Sequence, residues 1–104
     1  MIDLDQVEGF DWDDGNERKS NEKHGVSQSE AEQVFFSASL LLLEDTKHSQ
    51  GEPRFHALGE TEAGRLLHVT FTTRVERKKI RVISARDMHR KERMIYEEKS
   101  KSHS

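Results

Sequence analysis

No cysteine occurs anywhere in the 104 residues. Disulfides and thiolate-bound metals are excluded by that alone, and the absence agrees with a cytoplasmic location. No apolar stretch approaches the 18 or so residues that a membrane-spanning helix needs. The opening Met1-Ile2-Asp3-Leu4-Asp5 lacks the apolar run of a secretion signal. Hydrophobic residues are scarce, 32% against 36% charged, so the core must be thin. A chain of this length buries one such core and not two, which makes it a single domain. There is no glycine-rich phosphate loop, no defensible Ser-His-Asp set and no paired carboxylate site. His48, His56, His68 and His89 are scattered without i, i+4 pairing, which argues against zinc. Neither a metal nor a cofactor is expected.

What is present is a segregation of charge. Through Ala63 the chain carries 15 Asp and Glu against 5 Lys and Arg; from Gly64 onward it carries 12 Lys and Arg against 5 Asp and Glu. A net of −3 thus hides an acidic half of −10 and a basic half of +7. The basic excess falls in strand-like segments and the helix after them, where it can form a phosphate-attracting face. The alternative is ordinary solvated charge on strands and helices.

The apolar runs divide into elements. Residues 1–9 read as an acidic leader, residues 10–98 as the folded domain and residues 99–104 as a frayed tail. A first helix is expected from Asp14 to His24, N-capped by Asp13 and stopped by Gly25, with Phe10 and Trp12 just outside it as apolar anchors. Ser27 and Glu30 form a capping box for a second helix, on which Ala31, Val34 and Phe35 share one face. Strands are expected at Leu40–Glu44, Arg54–Gly59, Leu66–Thr73 and Ile80–Ala85. In the third, Leu67, Val69 and Phe71 point one way and His68, Thr70 and Thr72 the other. Asp87 is placed as N-cap of a last helix, Met88 to Glu98. The fold class is α+β: two N-terminal helices, a four-stranded mainly antiparallel sheet and a C-terminal helix. Short connections exclude βαβ crossovers, and with the helices on one face the other is left open to a ligand.

Three segments in order, "FDWDD" with "EKHGVS" and "EAEQVF", then "PRFHALGETEAGRLLHVTFTTR", then "IRVISARDMHRKERMIYEE", resemble the BrnT toxins of type II toxin–antitoxin systems. The resemblance spans Phe10 to Glu98. It implies a RelE-like fold and metal-independent endoribonuclease activity that cleaves cellular RNA and arrests translation and growth. It also implies a BrnA-type ribbon-helix-helix antitoxin, a complex of two toxins with two antitoxins, and operator DNA bound only through the antitoxin. Where relatives end the third strand in Thr-Glu-Arg, this chain reads Thr72-Thr73-Arg74, and its acidic residue stands at Glu76.

Cleavage of that kind needs a base for the ribose 2′-hydroxyl, cations for the crowded phosphate and an acid for the leaving 5′-oxygen. Arg74, Arg81 and Arg86, on or beside adjacent strands, are the candidate catalytic cations, because a planar guanidinium pairs with phosphate oxygens. Sheet-edge charge or salt bridges are the competing reading. His24 is a candidate proton shuttle, or a helix-end residue that packs or caps. Glu76 is a candidate base, or a solvated turn residue. Lys23, Arg77, Arg90 and Arg93 are candidate RNA contacts, and Tyr96 either stacks on a base or donates a proton, or else packs with Met88 and Ile95. The alternative function is a catalytically weak or inactive module of the same fold, serving as an antitoxin-binding corepressor or RNA-binding protein.

Overall fold

Side-chain alternation decides which way each strand faces, because residues i and i+2 lie on the same side of a sheet. The computed structural model describes residues 7–12, 21–45, 47, 53–74 and 79–102. Its strands are β1 (Gly9–Trp12), β2 (Leu41–Asp45), β3 (Arg54–Glu60), β4 (Leu66–Arg74) and β5 (Lys79–Asp87), hydrogen-bonded in the order β1-β5-β4-β3-β2. Strands β2 to β5 form an antiparallel meander, as short connections require. The sheet has five strands, not the expected four, because β1 adds in parallel to the outer edge of β5. It places Phe10 opposite Ile80 and Trp12 opposite Val82, so the two aromatics reach the core from a strand, not from a helix entrance.

The helices are α1 (Gln28–Val34) and α2 (Arg90–Ser102). The Ser27–Glu30 capping box is present in both directions: the Ser27 hydroxyl accepts from the Glu30 N–H and the Glu30 carboxylate accepts from the Ser27 N–H. Residues 21–24 are also helical and stop at Gly25, whose φ of +64° suits glycine and whose N–H bonds to the Asn21 carbonyl. The expected start of that helix, at Asp13 and Asp14, lies outside the described residues. Asp87 does not cap α2. It belongs to β5, and its carboxylate is held by the Arg65 guanidinium at 2.8 and 3.1 Å. His89 precedes α2 instead, its N–H donating to Glu92 Oε1 and its carbonyl accepting from Arg93.

The main core lies between α1 and one face of the sheet: Ala31, Val34 and Phe35 meet Ala57, Val69, Phe71, Val82 and Ala85. Close approach of α1 to β3 depends on Gly59, where an added Cβ would stand 2.8 Å from the Val34 carbonyl oxygen. A second, smaller cluster joins Met88 and Tyr96 to Leu58, with Leu41 and Leu66 packed against it. Leu58 alternates with Ala57 and so faces away from α1. The C-terminal segment therefore packs on the second face, which corrects the expectation of helices on one side only. It covers the end of that face near Leu41, Leu58 and Leu66, where its apolar residues cluster. Among the described residues, no helix is long and apolar enough to cross a membrane.

Candidate active site

Strand register arranges the second face in rows running across the sheet. Leu41, Leu58, His68 and Arg86 form one row; Leu43, His56, Thr70 and Ser84 form the next. Asp45, Arg54, Thr72, Arg81 and Asp11 form a third. A register shift between Thr70 and Phe71 leaves Ile83 as the extra residue of β5, a bulge that keeps Ser84 and Arg86 on the same face as Arg81. The apolar end of this face lies against the C-terminal segment. Its other two rows are polar apart from Leu43 on β2.

The centre of those rows is a pair of imidazoles. The His56 and His68 rings stand 4.6 Å apart, centroid to centroid, from adjacent strands. His56 Nε2 lies 3.0 Å from Asp45 Oδ2 and His56 Nδ1 lies 3.0 Å from the Thr70 hydroxyl. A carboxylate can only accept, so Nε2 donates to Asp45, and in the neutral ring this leaves the Nδ1 lone pair to accept from Thr70. This orientation of a base by a carboxylate is the arrangement that acid–base catalysis uses. His68 is buried, and its Nδ1 has no hydrogen-bond partner among the described residues.

Arg86 extends from the same row as His68 and grips Glu92 with both ends of its guanidinium, at 2.7 and 2.9 Å. Glu92 also accepts from the His89 N–H and lies 3.5 Å from His68 Nε2. Burial alone would raise the Glu92 carboxyl, but the Arg86 and His89 hydrogen bonds and neighbouring positive charge together hold it at about 2. Burial, reinforced by the Arg86 charge, pushes His68 down to about 4, against the opposing pull of Glu92. His68 is therefore neutral at physiological pH.

Both depressions bear on stability. An unfolded His68 takes up a proton near its ordinary 6.5, whereas the folded chain resists until about 4. Stability is thus greatest above pH 6.5, falls between 6.5 and 4, and then levels off for this group. Glu92 contributes stability above about 4.5 that is lost as pH falls toward 2. Urea midpoints are expected to drop by the equivalent of about 2–3 kcal/mol from pH 7 to pH 4.5. His68→Phe should flatten most of that limb; an unchanged slope in the variant would assign the loss elsewhere.

The other residues singled out from sequence scatter. Arg81 shares the open face with Arg86 but lies two rows away, roughly 13 Å along the strand. Arg74 ends β4; Glu76 and Arg77 lie outside the described residues. His24 and Lys23 stand at the other side of the sheet. The Arg65 guanidinium bonds the His24 and Gly25 carbonyls, Glu30 and Asp87, an ion-paired knot that ties the first helical segment to α1 and β5. His24 is therefore not brought to Arg81 or Arg86, because Asp87 turns to the face opposite its neighbour Arg86. Arg90 and Arg93 are exposed on α2. Tyr96 is 4% exposed, packs on Leu58 and Met88, and lies within hydrogen-bond distance of the Ser37 hydroxyl, so it offers no ring face to a base.

A family model described as "Ribonuclease toxin, BrnT, of type II toxin-antitoxin system" matches residues 12–92. The chain belongs to the BrnT family. The crystal structure of the Brucella abortus ribonuclease toxin BrnT superposes with a TM-score of 0.61 at 22% identity, covering 79% of this chain and 97% of that one. At that identity the likeness establishes a shared fold. No curated protein matched the chain in a sequence comparison. The family assignment makes this BrnT chain a toxin of a type II system and gives it an antitoxin as partner.

Sequence reasoning did not place Asp45, His56, His68 or Glu92 in the site of this BrnT chain. The outward alternation of His68, Thr70 and Thr72 was visible, and the β3–β4 hairpin register would have set His56 opposite Thr70.

Proposed function

We propose that this BrnT family member is an endoribonuclease with the RelE-like architecture that cleaves cellular RNA on the second face of its sheet, without a metal. His56, held by Asp45 at Nε2 and meeting the Thr70 hydroxyl at Nδ1, is the observation that carries the reading. The ribose 2′-hydroxyl takes the donor position that Thr70 holds, and Nδ1 accepts its proton. The 2′-oxygen then bonds to phosphorus and the bond to the 5′-oxygen breaks, leaving a 2′,3′-cyclic phosphate and a 5′-hydroxyl protonated from water at the open rim. Arg81, one row from His56, stabilises the charge on the phosphate, and Arg74, at the end of β4, is the second candidate cation. Exposed Arg90 and Arg93 hold RNA beyond it. Arg86, whose guanidinium is clasped by Glu92, positions His68 and α2.

The toxin is neutralised in the cytoplasm by a ribbon-helix-helix antitoxin of the BrnA type, two of each in one complex, and reaches operator DNA through that partner. Membership of a type II family supports this part of the reading. The Arg86–Glu92 pair favours a second reading, an inactive corepressor with the same fold, because it neutralises a cation that cleavage could have used.

The deciding experiment is incubation of the purified chain with RNA in chelator, with products read by mass spectrometry. Fragments ending in 2′,3′-cyclic phosphate are expected. Intact RNA at high concentrations of demonstrably folded protein leaves the corepressor reading.

A further inference from the structure

The side of the molecule that carries α1 has a feature that RNA chemistry cannot use. Phe36, just past α1, is 80% exposed, an unusual cost for a phenyl ring on a small domain. Three concavities meet at it. One, of about 290 Å³, is mostly apolar and is bounded by Val7, Gly9, Phe10, Phe35 and Ile80 beside the edge strand β1. The other two, of about 350 and 540 Å³, flank Phe36 on the α1 side and toward the end of β3. Their rims carry Glu8, Glu32, Glu60 and Glu62, and among the described residues no lysine, arginine or histidine lines any of the three.

An apolar ring between cavities, rimmed by four carboxylates, repels a polyanion and attracts an apolar segment with basic flanks. From this we infer that the Phe36 surface is the antitoxin-docking site, and that its occupant is an amphipathic antitoxin segment with large apolar side chains bordered by Lys or Arg. The inference rests on the toxin–antitoxin reading above and adds the place and chemistry of contact. Charge complementarity commits it to a basic segment. The apolar cavity beside Phe36 supplies the recess that a central anchor needs. Phe36, Phe10 and Ile80 lie on the α1 side of the sheet, and His56 and Arg81 on the other, so this segment anchors the antitoxin without itself touching the RNA face.

The test uses the full chain co-expressed with the protein encoded beside it, and measures affinity by calorimetry on the separated, refolded partners. Phe36→Ala is expected to weaken binding about 30-fold or more, as loss of a central aromatic anchor does. The double reversal Glu32→Lys, Glu62→Lys is expected to slow association and abolish its dependence on salt. Both variants should keep the wild-type melting temperature and the wild-type rate of RNA cleavage. Wild-type affinity in both variants overturns the inference while leaving the toxin–antitoxin reading intact. So does loss of binding only when Arg81 is replaced, which would move the partner to the RNA face. If the wild-type chain itself binds no neighbour-encoded protein, the partner reading falls and takes the docking site with it.

Discussion

His56→Ala is expected to lower the rate of RNA cleavage by about 10²- to 10⁴-fold with KM nearly unchanged, the range that loss of a general base produces. The size follows from the position of the ring. Asp45 occupies one nitrogen at 3.0 Å, so the remaining lone pair is directed at Thr70 on the polar rows of the sheet, not at bulk solvent. Asp45→Asn should cost less than His56→Ala, because the imidazole survives but loses the partner that fixes its tautomer. Two controls separate chemistry from packing. Added imidazole should restore part of the activity of His56→Ala, and the urea midpoints of both variants should stay close to wild type, since His56 is only half-buried. A His56→Ala variant that cleaves within twofold of wild type would remove His56 from the chemistry.

Phe71→Ala is expected to cost about 3–5 kcal/mol, read as a shift in denaturant midpoint by the fluorescence of the single Trp12. Phe71 is fully buried in the middle of β4, stacked on Phe55 with centroids 5.5 Å apart and set edge-on to Phe35 at 5.0 Å. Truncation would leave a void beneath α1 that neither ring can fill, because both are held by their own strand and helix. Domains of this size are stable by roughly 5–15 kcal/mol in total, so the loss takes a large share of it. Phe71→Leu, which keeps most of the volume, should cost clearly less. A loss below about 1 kcal/mol in the alanine variant would mean the three rings do not form one packed unit.

Four of the five strands were legible because alternation and short connections are local signals. Leu67, Val69 and Phe71 against His68, Thr70 and Thr72 gave the two faces of β4 before any pairing was known. The Ser27–Glu30 box and Gly25 were equally plain. Strand β1 was not, since Gly9-Phe10-Asp11-Trp12 is short and its partner begins only at Lys79, with no turn between them to announce it. Asp87 resembled a helix cap from its place before Met88, but the Arg65 side chain from the loop before β4 claimed it. The site divided in the same way. Arg81 and Arg86 stood out by type and spacing, whereas Asp45, His56 and Glu92 acquire meaning only when β2 lies beside β3 and α2 returns over β5. Proximity across strands is a property of register, and register is invisible in a list of scattered histidines.

The parallel pairing of β1 with β5 has a consequence for how the molecule is made. A ribosome delivers β1 well before its hydrogen-bonding partner at residues 79–82, which emerges only after β2, β3 and β4 have been made. Until then Phe10 and Trp12 have no ladder to join, and neither the Arg86–Glu92 clasp nor the cover over Leu58 exists. Such long-range closure slows folding relative to local hairpins. A face assembled this way is not finished until the residues of β5 and α2 have followed β1 out of the ribosome.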